Sequence, residues 1–254
     1  MLKLIFLGTG SIIPTESRFS SGILLETDEG LRILLDVGPG VIEKLRRVKV
    51  DLKSIQAVLI THLHLDHVSD LLPLLKIRAL TEGEKLLILG PYQIGKWLDL
   101  MITDRRLFGY LSDLGCRDIV EVHELWDDCL TIKPGVRVCS KPVEHFRGVA
   151  YRIDLDDLSI AYSGDAVPDR NLIDLARGST VLIQECSFPA DKLKGKHTSA
   201  EDLLKIVAEV NPEVLIITHL YPEMEDDLPR LFEMLSREFK GRFYAPKDLD
   251  VIEV

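Results

Sequence analysis

Apolar runs typical of buried strands alternate with helical patterns along most of the chain. The strand-like runs are KLIFLG, GILLET, LRILLDV, AVLIT and KLLILG, followed by RVCSKPV, VAYRIDL, SIAYSGD, TVLIQE and EVLIITH. Several are apolar at successive positions, which indicates strands buried on both faces. Helical periodicity appears at GVIEKLRRV, VSDLLPLLKIRAL, YQIGKWLDLMI, DRNLIDLARG, SAEDLLKIVAEV and DDLPRLFEMLSREF. Groups of strands separated by helices predict a layered α/β fold.

The composition is that of a globular protein with an acidic surface. The chain has 254 residues, which fits one large domain or two small ones, and a formal net charge of −10. A large polyanion is therefore disfavoured as the main partner, because proteins that grip nucleic acid usually present a basic face. No apolar run approaches the roughly 20 residues of a membrane span. MLKLIFLGTG is typical of a buried first strand rather than a signal sequence, so we expect a cytoplasmic protein without a membrane partner.

Cysteine and amide usage support two smaller predictions. Cys116, Cys129, Cys139 and Cys186 are scattered without a CxxC pair, so we expect buried thiols and no disulfide framework. Asn and Gln are scarce beside abundant Lys and Glu, which indicates a thermophilic source.

The stretch THLHLDH, residues 61–67, holds three of the seven histidines of the chain. In an extended segment His62 and His64 point to the same side, so both imidazoles can face one metal ion. Asp66 and His67 are adjacent, so a turn just before them is needed to direct both toward a second ion. These ligands suit zinc, with manganese or iron as alternatives. Surface histidines after a strand are the other interpretation, which is disfavoured because clustered histidines repel one another when protonated.

Further candidate ligands follow other strand-like runs. His145 comes after RVCSKPV, Asp165 ends SIAYSGD, His219 ends EVLIITH, and His197 precedes a helical pattern. Functional side chains collect at strand ends, where the scaffold is rigid, and together these residues supply enough ligands for two metal ions. A strand-end aspartate beside glycine is alternatively a turn residue, and His123 is interpreted as an ordinary strand or loop residue.

A series of motifs resembles one known family. FLGTGSIIPTESRFSSG, LLDVGPG, THLHLDHVSDLLPLL, PVEHFRGVAYRI, YSGD, QECSF, KHTSAED and ITH are similar to the metallo-β-lactamase superfamily, and within it to the ribonuclease Z branch and its phosphodiesterase relatives. The resemblance runs nearly end to end and implies a single domain over residues 1–254. It implies a four-layer αββα sandwich with metal ions at one sheet edge.

The resemblance also implies a ligand set for two ions. The first ion would be held by His62, His64 and His145, the second by Asp66, His67 and His219, and Asp165 would bridge them. Asp36 matches a family aspartate that orients a ligand histidine.

Hydrolysis is the chemistry that follows. Two adjacent cations would lower the pKa of a bound water, supply hydroxide at neutral pH and stabilise charge on a phosphoryl oxygen. Asp66 would orient that nucleophile or accept its proton. His197 is not needed as a ligand, so it can act as general acid. Glu185 in QECSF is either the residue that orients His197 or a plain strand-end carboxylate.

The spacing after His145 bears on the substrate. RNA-processing relatives commonly carry a long arm between the third motif and the SGD aspartate, and only residues 146–164 lie between His145 and Asp165 here. A small anionic ester such as a cyclic nucleotide or short oligonucleotide is therefore favoured. Ribonuclease Z activity on a transfer-RNA or other RNA end is one alternative, and hydrolysis of sulfate esters, lactones or thioesters is another. Relatives are often dimers, so a homodimer is also considered.

Two other function classes are disfavoured. A di-iron oxidoreductase typically has Glu where this chain has His64, and often an attached flavin domain. A non-catalytic binding protein on this fold would have lost ligands, whereas all seven are present.

Other features near the motifs have two interpretations each. The basic loop DKLKGKH is either solvated or a rim that attracts an anionic substrate; its lysines are Lys192, Lys194 and Lys196. Arg147 is a similar candidate. Three aromatic residues in the segment after KLLILG are expected to pack in the core or to form one wall of the pocket; these three are Trp97, Phe108 and Tyr110. The glycines of FLGTGS favour a turn over a nucleotide-binding loop, because Ile13 stands at the third glycine position of GxGxxG.

Overall fold

The computed structural model describes residues 2–192 and 195–254. The chain groups into two compact units, each with its own seven-stranded sheet. Unit 1 comprises Met1–Gly8, Phe19–Glu124 and Lys247–Val254, and unit 2 comprises Thr9–Arg18 and Leu125–Pro246. The interpretation of residues 1–254 as one domain stays a prediction.

Among its described residues, unit 1 contains a mixed sheet, five α-helices and a short 3-10 helix, Leu52–Ser54. Its strands are β1 Leu2–Gly8, β2 Gly22–Thr27, β3 Arg32–Leu35, β4 Ala57–Leu59, β5 Leu86–Gly90, β6 Val120–Glu124 and β14 Val251–Glu253. Their order in the sheet is β14-β1-β2-β3-β4-β5-β6, with β3 to β6 parallel and the others antiparallel. The helices are α1 Val41–Arg47, α2 Leu65–Val68, α3 Leu71–Leu80, α4 Ile94–Thr103 and α5 Tyr110–Asp113.

The central strands of unit 1 are buried on both faces, as their apolar sequences predict. Leu34 of β3 and Val58 of β4 pack with Leu74 of α3 and Leu98 of α4 in one apolar cluster. The neighbouring Leu35, whose side chain points to the opposite face of the sheet, is also fully buried.

In the part of unit 2 that the structure describes there are a second mixed sheet, three α-helices and a short 3-10 helix, Ala190–Lys192. Its strands are β7 Cys129–Lys133, β8 Val136–Pro142, β9 Val149–Leu155, β10 Leu158–Tyr162, β11 Val181–Glu185, β12 Val214–Thr218 and β13 Arg242–Tyr244. Their order is β13-β12-β11-β10-β9-β8-β7, with β10 to β13 parallel. The helices are α6 Arg170–Ala176, α7 Ala200–Val210 and α8 Pro222–Glu238. Among the described residues of either unit, no helix has the length and apolarity that a bilayer span requires.

The predicted α/β class is confirmed, since each sheet is mixed and has helices packed on it. Four strands lack a strand-like run in the sequence: β6, β7, β13 and β14. All four are edge strands. An edge strand has one neighbour and an exposed side, so it carries polar residues that a search for apolar runs overlooks.

The prediction that all four cysteines are buried thiols is wrong for two of them. Cys129 of β7 and Cys139 of β8 face each other across the antiparallel pair and form a disulfide. Cys129 is exposed and Cys139 is half-buried. Cys116 and Cys186 are buried free thiols, as expected. The pairing depends on strand register, which scattered cysteines do not reveal.

A close backbone approach at Gly38 fixes the position of α2. Gly38 follows β3, and its N–H donates a hydrogen bond to the Ser21 carbonyl at 2.8 Å. A β-carbon at this position would lie 2.1 Å from the Asp66 carbonyl oxygen and 2.9 Å from the Ser20 β-carbon. Any side chain here must therefore displace the helix that carries Asp66.

We expect Gly38→Ala to lower the free energy of unfolding by about 1–3 kcal/mol, because overpacking forces a backbone shift. Urea unfolding followed by circular dichroism measures the change. The matched control is Gly95→Ala in α4, where the nearest atom lies at 3.5 Å and alanine has the higher helix propensity. Equal stability of Gly38→Ala and Gly95→Ala would contradict the proposed restriction.

Candidate metal centre

The candidate ligands of unit 1 lie where β4 runs into helix α2. His64 is the N-cap of α2, and Asp66 and His67 lie within its single turn. The expected turn before Asp66 is therefore a short helix, in which consecutive side chains diverge by about 100° rather than 180°. The His62 ring centroid lies 4.5 Å from that of His64 and 4.1 Å from that of His67. Asp66 Oδ2 is 3.7 Å from His67 Nε2, so these four side chains form one cluster.

Asp36, in the loop after β3, orients this cluster through hydrogen bonds. Its Oδ2 accepts a hydrogen bond from His67 Nδ1 at 2.8 Å and another from the Thr61 hydroxyl at 2.8 Å. The Thr61 backbone N–H donates to Oδ1 at 2.8 Å, and the Thr61 oxygen lies 3.1 Å from His62 Nδ1. With Nδ1 bound in this way, Nε2 is the ring atom that would ligate a metal. The expected role of Asp36 matches these contacts.

The candidate ligands of unit 2 each follow a strand. His145 comes after β8, Asp165 after β10 and His219 after β12. Asp165 Oδ2 lies 3.6 Å from His145 Nε2, and its Oδ1 lies 3.2 Å from His219 Nε2. All three side chains are buried.

These spacings fit divalent transition metals. Two ligand atoms about 2.1 Å from one tetrahedral ion lie roughly 3.4 Å apart, close to both Asp165–imidazole separations. The two carboxylate oxygens of Asp165 face different imidazole rings. Nitrogen and oxygen donors of this kind suit zinc and also manganese or iron.

Glu185, at the end of β11, organises the histidines of unit 2. Its Oε1 accepts a hydrogen bond from His197 Nδ1 at 3.0 Å and from the Ala166 backbone N–H at 2.9 Å. Its Oε2 accepts the Ser187 hydroxyl proton at 2.6 Å, and the Ser187 oxygen lies 3.0 Å from His219 Nδ1. Glu185 is therefore not a plain strand-end carboxylate, because it contacts His197 directly and His219 through Ser187. No pattern in the sequence singles out Ser187, although it stands in the QECSF motif.

His145 and His197 complete this arrangement. His145 Nδ1 lies 3.2 Å from the Lys196 carbonyl oxygen. Burial lowers the pKa of the His145 imidazole, and the nearby Asp165 carboxylate offsets this only in part. A neutral ring with an available lone pair is the form that metal binding requires. Asp165, His197 and His219 offer ligand atoms within 4.8 Å of one another, so His197 lies beside the candidate ligands of its own unit.

The other predicted residues have mixed outcomes. Lys192 and Lys196 are exposed, as is Arg147, and Lys194 lies outside the described residues. His123 is a β6 residue beside Glu121, as expected for an ordinary strand residue. Three aromatic residues after β5 line a cleft and are not wholly core residues; they are Trp97, Phe108 and Tyr110.

Comparison with known proteins agrees with the sequence motifs. A family model described as anti-Pycsar protein Apyc1 matches residues 2–234. The chain is 30% identical to a ribonuclease Z of Mycobacterium marinum, in an alignment that covers 100% of this chain and 99% of that protein.

Solved structures confirm the predicted metallo-β-lactamase fold. The metallo-β-lactamase fold protein YhfI from Bacillus subtilis superposes with a TM-score of 0.81 at 22% identity, covering 99% of this chain and 98% of that one. The short form of human tRNase Z superposes with a TM-score of 0.77 at 19% identity, covering 99% and 98%. From these matches and its His and Asp motifs, the chain belongs to the metallo-β-lactamase superfamily, on its ribonuclease Z-like branch, and to the family described as anti-Pycsar protein Apyc1.

Proposed function

We propose that this protein is a dinuclear metal-dependent phosphodiesterase that hydrolyses a small phosphodiester such as a cyclic nucleotide or short oligonucleotide. The observation that carries the proposal is Asp165, whose two oxygens face the Nε2 atoms of two different histidines at 3.6 and 3.2 Å. A buried carboxylate flanked in this way by two imidazoles suits a bridge between two cations.

The proposed ligand assignment follows the superfamily resemblance. One ion would be held by His62, His64 and His145, the other by Asp66, His67 and His219, and Asp165 would contribute an oxygen to each. Support comes from the Nδ1 contacts, since four of these rings each have Nδ1 within 3.2 Å of a hydroxyl, carboxylate or carbonyl oxygen. Such contacts fix ring orientation and are typical of histidines that bind metal through Nε2. We propose zinc as the identity of both ions.

The side chains of this chain have separate roles in the proposed reaction. When bound, two divalent cations supply a hydroxide nucleophile at neutral pH and neutralise charge on the phosphoryl group. Asp66 orients the nucleophile or accepts its proton. His197 gives a proton to the leaving oxygen, and Glu185 holds it in place for this through the 3.0 Å contact with Nδ1.

The segment between His145 and Asp165 supports a small substrate. Strands β9 and β10 occupy most of residues 146–164, so an arm for gripping transfer RNA has no room there. The net charge of −10 also disfavours a long polyanion. The match to a ribonuclease Z at 30% identity keeps cleavage of RNA 3′ ends as the second candidate function. Cytoplasmic location, a homodimer and a thermophilic source stay predictions.

We expect the purified protein to contain close to two transition-metal ions per chain, and Asp66→Ala to bind less metal. Hydrolysis of bis(p-nitrophenyl) phosphate should fall by about 100-fold or more, because Asp66 serves both as ligand and in proton transfer. Elemental analysis, the chromogenic assay and circular dichroism measure metal, activity and fold. Asp118→Ala is the matched control, since Asp118 is an exposed carboxylate of the same unit. A fully active metal-free protein would refute the proposal.

We expect His197→Ala to slow the hydrolysis of a cyclic nucleotide about 100-fold, because this substrate has an alkoxide leaving group that needs a proton. The hydrolysis of bis(p-nitrophenyl) phosphate should slow much less, because p-nitrophenolate leaves without a proton. Steady-state kinetics on both substrates gives the comparison, and His123→Ala controls for loss of a histidine. An equal loss on the two substrates would remove the general-acid role.

Substrate preference is tested by a panel of cyclic nucleotides, precursor transfer RNA, an aryl sulfate and a thioester. We expect the highest kcat/KM with a cyclic nucleotide. Accurate cleavage of precursor transfer RNA at a higher kcat/KM would favour the ribonuclease Z alternative.

A further inference from the structure

A cleft of about 500 Å³ opens in unit 1 beside helix α2. Its walls are mostly apolar and come from α2, α3, α4 and the segment that leads into α5. Leu65 contributes from α2, Trp97 and Met101 from α4, and Phe108 and Tyr110 from the segment around the start of α5. The volume lies within the range of about 300–1,000 Å³ that is usual for small-molecule sites.

The rim of this cleft exposes large apolar side chains that the core of unit 1 does not use. Leu65 is 70% exposed, Phe108 46% and Tyr110 48%, whereas Leu111 beneath them is 2% exposed. A group of apolar side chains exposed to water is unfavourable, so such a patch usually marks a surface that a partner or ligand covers. The concave shape favours a small molecule.

The cleft shares a helical turn with the candidate catalytic residue Asp66. Leu65 directly precedes Asp66, and Val68 and Ser69 also line the cleft, so the turn that presents Asp66 and His67 is also a wall of the cleft. Leu65 and Asp66 are consecutive residues, so their Cα atoms lie about 3.8 Å apart.

We propose that this cleft is the subsite for the base of the nucleotide substrate, an inference that rests on the proposed phosphodiesterase function. Trp97, Phe108 and Tyr110 supply aromatic faces, and bases stack on such faces whatever their identity. Lys76 Nζ lies 5.0 Å from the Tyr110 ring centroid and is the one cationic side chain among the described residues that line the cleft. It orders that ring and places a positive charge near an anionic ligand.

Binding is measured without catalysis, using nucleosides that carry no phosphate. The chain has two tryptophans, so Trp126→Phe leaves Trp97 as the only one, and its fluorescence reports on the cleft. We expect adenosine and cytidine to quench this fluorescence saturably. Phe108→Ala in the same background should weaken both affinities about tenfold, the usual effect of losing one stacking partner.

Tyr92→Ala is the matched control, because Tyr92 is an aromatic residue of the same unit that is 57% exposed and does not line the cleft. It should leave nucleoside affinity unchanged. In kinetics with a cyclic nucleotide, Phe108→Ala should raise KM about tenfold with little change in kcat, because the contact is made equally in the ground state and the transition state. If Phe108→Ala does not fold, Tyr110→Leu serves in its place.

Three results would overturn the proposal. In the first, nucleosides bind equally well to Phe108→Ala and Tyr92→Ala, or bind to neither, which removes the subsite directly. Alternatively, Phe108→Ala converts a dimer into a monomer in light-scattering measurements while nucleoside affinity stays the same; the cleft is then an interface between copies. In the third, nucleoside binding depends on Phe108 but the protein cleaves no phosphodiester. That result refutes the proposed function and the role of the cleft in substrate binding, and the cleft is then a nucleoside site of another kind.

Discussion

The candidate metal centre depends on buried carboxylates that must receive hydrogen bonds. An ionised carboxylate away from water is costly unless donors surround it. In unit 1, imidazole, hydroxyl and backbone N–H groups donate to Asp36. In unit 2, Glu185 accepts hydrogen bonds from the same three kinds of donor. One of them, the Ser187 hydroxyl, also contacts His219. The contacts that make burial of the carboxylates tolerable are therefore the contacts that orient the histidines.

The backbone at two strand ends also helps to position the residues of the candidate site. Asp36 and His219 both have a φ of 56°, in the left-handed region that side chains other than glycine rarely adopt. Flanking hydrogen bonds hold each one in place. The Asp36 N–H donates to Leu59 O at 2.8 Å, and in unit 2 the Leu220 N–H donates to Thr9 O at 3.1 Å. Strain of this kind persists only where the surroundings fix it, and here it coincides with the proposed functional positions.

The charge balance and the cleft together indicate how an acidic protein would bind an anionic substrate. With a net charge of −10, general electrostatic attraction is weak or repulsive, so affinity has to come from local contacts. In the proposed function the metal ions take the phosphate. The aromatic cleft next to Leu65 takes the uncharged part of the substrate, where apolar contact rather than charge supplies the affinity. This division suits a small molecule better than a long nucleic acid.

The sequence by itself determined the parts of this protein that depend on local order. THLHLDH placed four candidate ligands within seven residues, apolar runs marked the buried strands, and motif order identified the superfamily. Tertiary structure decided the features that depend on residues distant in the chain. These are the edge strands, the Cys129–Cys139 pair, the Ser187 contact and the aromatic cleft. Strand register and packing create such contacts, and neither leaves a periodic signal in the sequence.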